Sequence, residues 1–232
     1  MKKKVIKECT YKSAFTLAEV LVVLTIVGVI GALTIPALIQ NTQMAQYKIA
    51  LKETTADLSG ALKRMAMANA GSLAGTFTDG YSFKNNMSTY LNVSNDCNGV
   101  GIGNCWPTST LYMNGSTNIV TFWTTFTWSP PDPSITLANG SMVHFDMSGN
   151  SQSCTSNWFG ESLTSNVCVA LEVDINGLKP PNMLGYDTFR FFIAGDGTLV
   201  PFGAPTTSHD PIAECGPATS GQGCAANYLL GN

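Results

Sequence analysis

The sequence predicts an α+β fold in which one long N-terminal helix, membrane-spanning over its first half, packs on an antiparallel β-sheet. Three observations carry this reading. Residues 15–39 form an apolar run with a single charge in it, Glu19. Further on, Met44, Leu51, Leu58 and Met65 recur every seven residues, with Tyr47, Thr54 and Ala61 or Leu62 between them; this is one apolar stripe along a helix. Later, Asn139-Gly140 and Asp196-Gly197 each stand between apolar runs, and such dipeptides are the strongest short-range hairpin signal.

The N-terminal segment comes first. Phe15 to Ile39 is 25 residues, about 37 Å as helix, enough to span a hydrocarbon core of about 30 Å. A usual signal-peptide apolar region is shorter, and Ile35, Pro36 and Ala37 stand where a small-x-small cleavage site would follow. Lys2, Lys3, Lys4, Lys7 and Lys12 supply five of the twelve basic residues, which favours a cytoplasmic N-terminus with the chain beyond residue 40 outside. After residue 14 the chain is acidic, with 7 Lys and Arg against 14 Asp and Glu; that balance argues against a general nucleic-acid-binding surface.

Next comes the second half of the helix, from residue 40 to about Asn69, where Gly71 is placed to end it. Lys48, Lys52, Glu53, Asp57, Lys63 and Arg64 fill the faces away from the apolar stripe. Phe83, Met87, Tyr90 and Leu91 are spaced for a short second helix. The hairpins fall in SITLANGSMVHF and TFRFFIAGDGTLVPF, and VCVALEVDI, residues 167–175, reads as a central strand. The expected organisation is therefore 1–14 basic leader, 15–39 transmembrane half-helix, 40–71 extracytoplasmic amphipathic half-helix and 72–232 globular β-rich domain.

Of the seven cysteines, Cys9 stands apart and the others form three successive couples: Cys97 with Cys105, Cys154 with Cys168, Cys215 with Cys224. None has CxxC spacing, and only two histidines could add imidazole ligands, so disulfides in an oxidising compartment are preferred over a zinc site. Buried free thiols are the alternative.

The basic leader ending in the small residue Ala14, the residues Phe15-Thr16-Leu17-Ala18-Glu19, and the following apolar helix with Pro36 in it resemble the N-terminal signature of type IV pilins and of type II secretion pseudopilins. The match is confined to about the first 40 residues. The resemblance implies cleavage between Ala14 and Phe15 by a prepilin peptidase on the cytoplasmic side, N-methylation of Phe15, and a pilin-like fold. The family usually has Gly where this chain has Ala14. It further implies assembly with other pilin-like subunits through the N-terminal helix, with Glu19 and Pro36 taking part, and dependence on inner-membrane assembly machinery. The subunit would reside as a single-pass protein among inner-membrane lipid, its C-terminal domain extracytoplasmic, until extracted into a pilus or pseudopilus.

That resemblance gives Glu19 a physical role. A carboxylate in a membrane helix costs on the order of 3 kcal/mol unless paired. Cleavage turns the Phe15 nitrogen from a neutral amide into a cation one helical turn from Glu19, on the same face, and the ammonium of one subunit can equally meet the carboxylate of its neighbour. The alternative is a carboxylate that only caps the helix start.

Three further features of the sequence bear on function. Asp174, Asn176 and Asp187 offer oxygen ligands around a turn at Gly177, and some pseudopilins bind calcium in loops of this domain. However, Lys179 intrudes and no bidentate Glu follows, so a turn held by side-chain hydrogen bonds is preferred and no cofactor is expected. Phe122, Phe126 and Trp128 on one strand face, with Trp123 on the other, fit core packing better than sugar binding. No GxSxG, phosphate loop or HExxH occurs, and His144 and His209 are far apart. The expected function is a structural subunit with no enzyme activity; the alternative is a minor, tip-located binding or adhesion subunit, and a membrane-anchored enzyme ranks last.

Overall fold

A computed structural model describes residues 16–97, 103–116, 133–146, 154–158 and 161–231. The aromatic run around Phe122, Trp123, Phe126 and Trp128 lies outside the described residues, as do Cys9, Ala14 and Phe15. By its internal contacts the chain divides into two units, residues 1–43 and 44–232.

In the first unit the described residues after Thr16 belong to helix α1, which runs Leu17–Ala68 through both units. From Leu17 to Ile39 its large apolar side chains are exposed on every face, as expected of a helix whose surroundings are apolar. It is long and apolar enough to cross a membrane. Thr25, Thr34 and Thr42 turn their hydroxyls back onto the carbonyls of Leu21, Ile30 and Leu38, which hides these polar groups within the helix itself. The helix continues through Pro36, whose ring brings no N–H for the Ala32 carbonyl.

In the second unit the same helix becomes amphipathic. Leu51, Leu58, Ala61, Leu62 and Met65 are fully buried, each large one contributing on the order of 1.5–3 kcal/mol. Ala70 and Gly71 adopt left-handed backbone, at φ 57° and 85°, and the Gly71 N–H donates to the Ala66 carbonyl at 2.8 Å, so the helix stops where the sequence places its glycine. Helix α2, Gly80–Ser88, opens on a capping box between Asp79 and Ser82 and buries Phe83 and Met87. Lys84 of α2 is buried and pairs with Asp96.

The described strands are β1 Val93–Cys97, β2 Ser134–Leu137, β3 Met142–Asp146, β4 Thr155–Trp158, β5 Glu161–Asp174, β6 Thr188–Ala194 and β7 Leu199–Pro201. They form one antiparallel sheet ordered β1-β2-β3-β5-β6-β7, with β4 paired to β5. Both expected hairpins are present, β2–β3 around Gly140 (φ 89°) and β6–β7 around Gly197 (φ 79°). The expected central strand is longer than the sequence suggested, 14 residues, and carries β3, β4 and β6.

Strand alternation divides the sheet into two faces. Ile135, Val143, Phe145, Val169, Leu171, Val173, Phe189, Phe191 and Ile193 pack in one cluster with the α1 stripe. On the other face Ala170 and Phe192 join Val167 and Phe202, and the buried Arg190 Nε donates to Glu172 at 2.6 Å. His144 sits beside Glu172 in register and stacks near Trp106; burial holds its pKa below the usual value despite the Glu172 charge. A last helix, α3 Cys224–Leu230, was not foreseen and packs Cys224 and Ala225 into the main core.

The β6–β7 turn lies directly against α1. A Cβ on Gly197 would stand 2.9 Å from the Leu62 carbonyl oxygen and 3.0 Å from Ala66 Cβ, at a backbone conformation unfavourable to L-residues. Gly60, in contrast, meets only Arg64 Nη1 at 3.5 Å. Gly197→Ala is therefore expected to destabilise the domain by about 2–4 kcal/mol, while Gly60→Ala gains about 0.5–1 kcal/mol of helix propensity; chemical denaturation of the two variants checks both signs.

Candidate functional site

The start of α1 is built on a reciprocal cap. Thr16 precedes the first helical residue, and Glu19 is the third. The Thr16 N–H donates to Glu19 Oε2 at 2.8 Å, its hydroxyl donates to the same oxygen at 2.9 Å, and the Glu19 N–H donates to Thr16 Oγ1 at 3.3 Å. Thr-x-x-Glu is a capping box, so the motif nucleates the helix and points a carboxylate at its positive end. Among the described residues none donates to Oε1. Ala14 and Phe15, the expected cleavage residues, fall just before the described segment. Pro36 lies within α1, more than four turns from Glu19.

The six cysteines of the outer domain pair as Cys97–Cys105, Cys154–Cys168 and Cys215–Cys224. Each closes a short loop against the core: the first ties β1 to the 103–116 segment, the second joins the residue before β4 to β5, and the third fastens α3.

Asp174, Asn176 and Asp187 are brought together. Asp174 ends β5 and Asp187 precedes β6, and both are fully buried. Asp187 accepts from the N–H groups of Asn182 and Met183, at 2.9 and 2.6 Å, and from Asn176 Nδ2 at 3.1 Å. Asp174 accepts from the Asn176 N–H at 3.1 Å and from the Thr188 hydroxyl at 3.2 Å. Asn182, missed by sequence reasoning, completes the turn: with its amide oriented by the acceptors around it, Nδ2 donates to Asp174 Oδ2, to the Gly177 carbonyl and to the Lys179 carbonyl at 3.0–3.3 Å. Asn176 Nδ2 also reaches the Tyr47 hydroxyl of α1 at 3.2 Å, which locks the turn to the helix.

Hydrogen bonds within the turn already engage these carboxylates. The oxygens of both carboxylates already accept from inward-pointing N–H and O–H groups, whereas calcium needs six to eight oxygens free to ligate. The site is a hydrogen-bonded lock. Its cost is electrostatic: burial, then the neighbouring Asp187 charge, pushes Asp174 up to about 8, and burial raises Asp187 as well.

A carboxyl whose folded pKa is raised stabilises the fold fully below its unfolded pKa, near 3.8, and that contribution is lost as pH rises through about 8. Domain stability should therefore fall between about pH 4 and pH 8, by a few kcal/mol for Asp174. His144, with its lowered pKa, acts in the opposite sense near its unfolded value of 6.5, so the comparison is made by substitution. Asp174→Asn should flatten the profile and raise the melting temperature at pH 8, and millimolar calcium should shift neither protein.

No curated protein and no solved structure matches the chain. A family model does match: the prokaryotic N-terminal methylation motif, over residues 9–35. The stretch that opens α1 with Thr16 and Glu19 is thus the prepilin signature shared by type IV pilins and pseudopilins.

Proposed function

We propose that the chain is a prepilin-like precursor, processed by a prepilin peptidase between Ala14 and Phe15, N-methylated on Phe15, and assembled through α1 as a structural subunit of a type IV pilus or type II secretion pseudopilus. The observation that carries this is the methylation motif opening a helix in which Glu19 is the sole charged residue before Lys48. The subunit waits in the inner membrane, single-pass, with the disulfide-bonded domain extracytoplasmic. The assembly machinery then draws it into the filament. It acts as a building block rather than a catalyst.

The cap geometry supports a defined chemistry for that transfer. In the precursor, Glu19 Oε2 is held by Thr16, which fixes the carboxylate at the helix start without neutralising it. Cleavage supplies an ammonium at Phe15. Pairing that cation with Oε1, within one subunit or between neighbours, removes most of a penalty on the order of 3 kcal/mol and sets the axial position of the incoming helix.

The cap and the charge can be separated by substitution. Glutamine at the third helical position still accepts from the N-cap amide but carries no charge. Glu19→Gln should therefore leave helix formation, membrane insertion and cleavage intact while reducing sheared filaments at least tenfold, and Glu19→Ala should reduce them as far. Filament yields near those of the unmodified chain in Glu19→Gln would show that the residue only caps.

A further inference from the structure

The outward face of α1 in the second unit carries its charges in an unusual order. Helices commonly place opposite charges three or four residues apart so that they pair along the surface. Here Lys48 and Lys52 are four apart on one edge, and Glu53 and Asp57 are four apart on the other. Each edge is self-repelling. Neither carboxylate has a basic residue three or four positions away on the helix. Between the edges runs an exposed stripe that includes Ile49, 66% exposed, Ala56, and Met67, 80% exposed.

The acidic edge also borders a cavity. A groove of about 530 Å³, lined among others by Glu53, Asp57, Arg64, Tyr90, Asn92 and Asn139, opens beside it. The guanidinium of Arg64, the cation in this lining, is held by the Tyr90 carbonyl at 2.7 Å. Glu53 and Asp57 are both exposed at the groove, whose apolar wall at Leu91 and Leu137 suits the methylene stem of a lysine.

We propose that this groove and edge bind the basic edge of a second copy of the same chain, Lys52 entering beside Asp57 and Lys48 approaching Glu53, with the Ile49–Ala56 stripe at the seam. The assignment rests on the filament reading given above and names the contact between extracytoplasmic parts of neighbouring subunits. The complement of the acidic pair is present on the helix's own opposite edge at the same four-residue spacing, which singles out another copy as occupant. Because the two edges differ, the contact is heterologous and repeats without closing, as a filament requires. Matching Lys52 to Asp57 shifts parallel helices by five residues, an axial stagger of about 7.5 Å. Lys48, whose ammonium lies 4.2 Å from the centroid of the Tyr228 ring, is the secondary partner, and Lys63 extends the same basic edge.

The test is cross-linking of the full chain in cells, with Cys9 replaced by serine so that the remaining native cysteines are paired. Positions 52 and 57 of one helix are too far apart to bridge within a chain. Lys52→Cys with Asp57→Cys should give, on oxidation, a ladder of dimers, trimers and higher species, and either single variant should remain monomeric. Lys52→Glu or Asp57→Lys alone should lower filament yield at least tenfold, and the two together should restore it; both residues are exposed, and unchanged thermal melting confirms that folding is unaffected. Filaments that form with no ladder and ignore charge reversal would overturn the contact and leave the filament reading standing. A ladder without filaments would support the contact and remove the filament reading. Absence of both overturns the contact.

Discussion

Everything in this chain depends on one helix having to satisfy two different surroundings. Over Leu17–Ile39 it is apolar all round and leaves its side chains outward; from residue 44 it buries a narrow apolar stripe against a sheet and carries its charges on the remaining surface. A helix of the first kind calls for apolar surroundings on every face. One of the second kind has a single direction in which it can be buried. The second half of the 52-residue element packs its apolar stripe in the domain core.

The sheet is arranged to serve that stripe. Its helix-side residues come from β2, β3, β5 and β6 at alternate positions, and buried polar groups fix the register where apolar packing alone would allow sliding. Thr54, fully buried on α1, meets the Ser141 hydroxyl of the β2–β3 hairpin at 2.9 Å, and Asn139 donates to it at 3.3 Å. Tyr47 receives Asn176 from the Asp174–Asp187 turn, and Gly197 permits the β6–β7 turn to touch the Leu62 carbonyl. Three turns thus grip the helix at three heights.

Much of this was legible in residues whose physical role is local. The heptad Met44, Leu51, Leu58 and Met65 located the buried stripe because a helix repeats every 3.6 residues whatever it packs on. Asn139-Gly140 and Asp196-Gly197 located hairpins because few residues tolerate positive φ, and Gly71 marked the helix end for the same reason. What escaped notice depends on tertiary context. Strands β1 (VSNDC) and β4 (TSNW) are short and polar, and they exist because neighbouring strands offer edges. Helix α3 is seven residues long and has no side-chain cap bond; Gly231, with φ 73°, was its one sequence signal. Asn182 belongs to the Asp174–Asp187 lock through the fold of the turn, and nothing in its neighbours announced it. At the helix start, FTLAE was legible both as a cap and as a processing signal, and the structure shows the cap while the family match covers the signal.

The central claim is that cleavage creates the cation for which Glu19 waits, and the most direct measurement is the intact mass and N-terminal fragment spectrum of the protein recovered from membranes or shed filaments. The account predicts a chain that begins at Phe15, with residues 1–14 absent and the new amino group methylated. A functional protein that retains residues 1–14, or that begins at another residue, would contradict it.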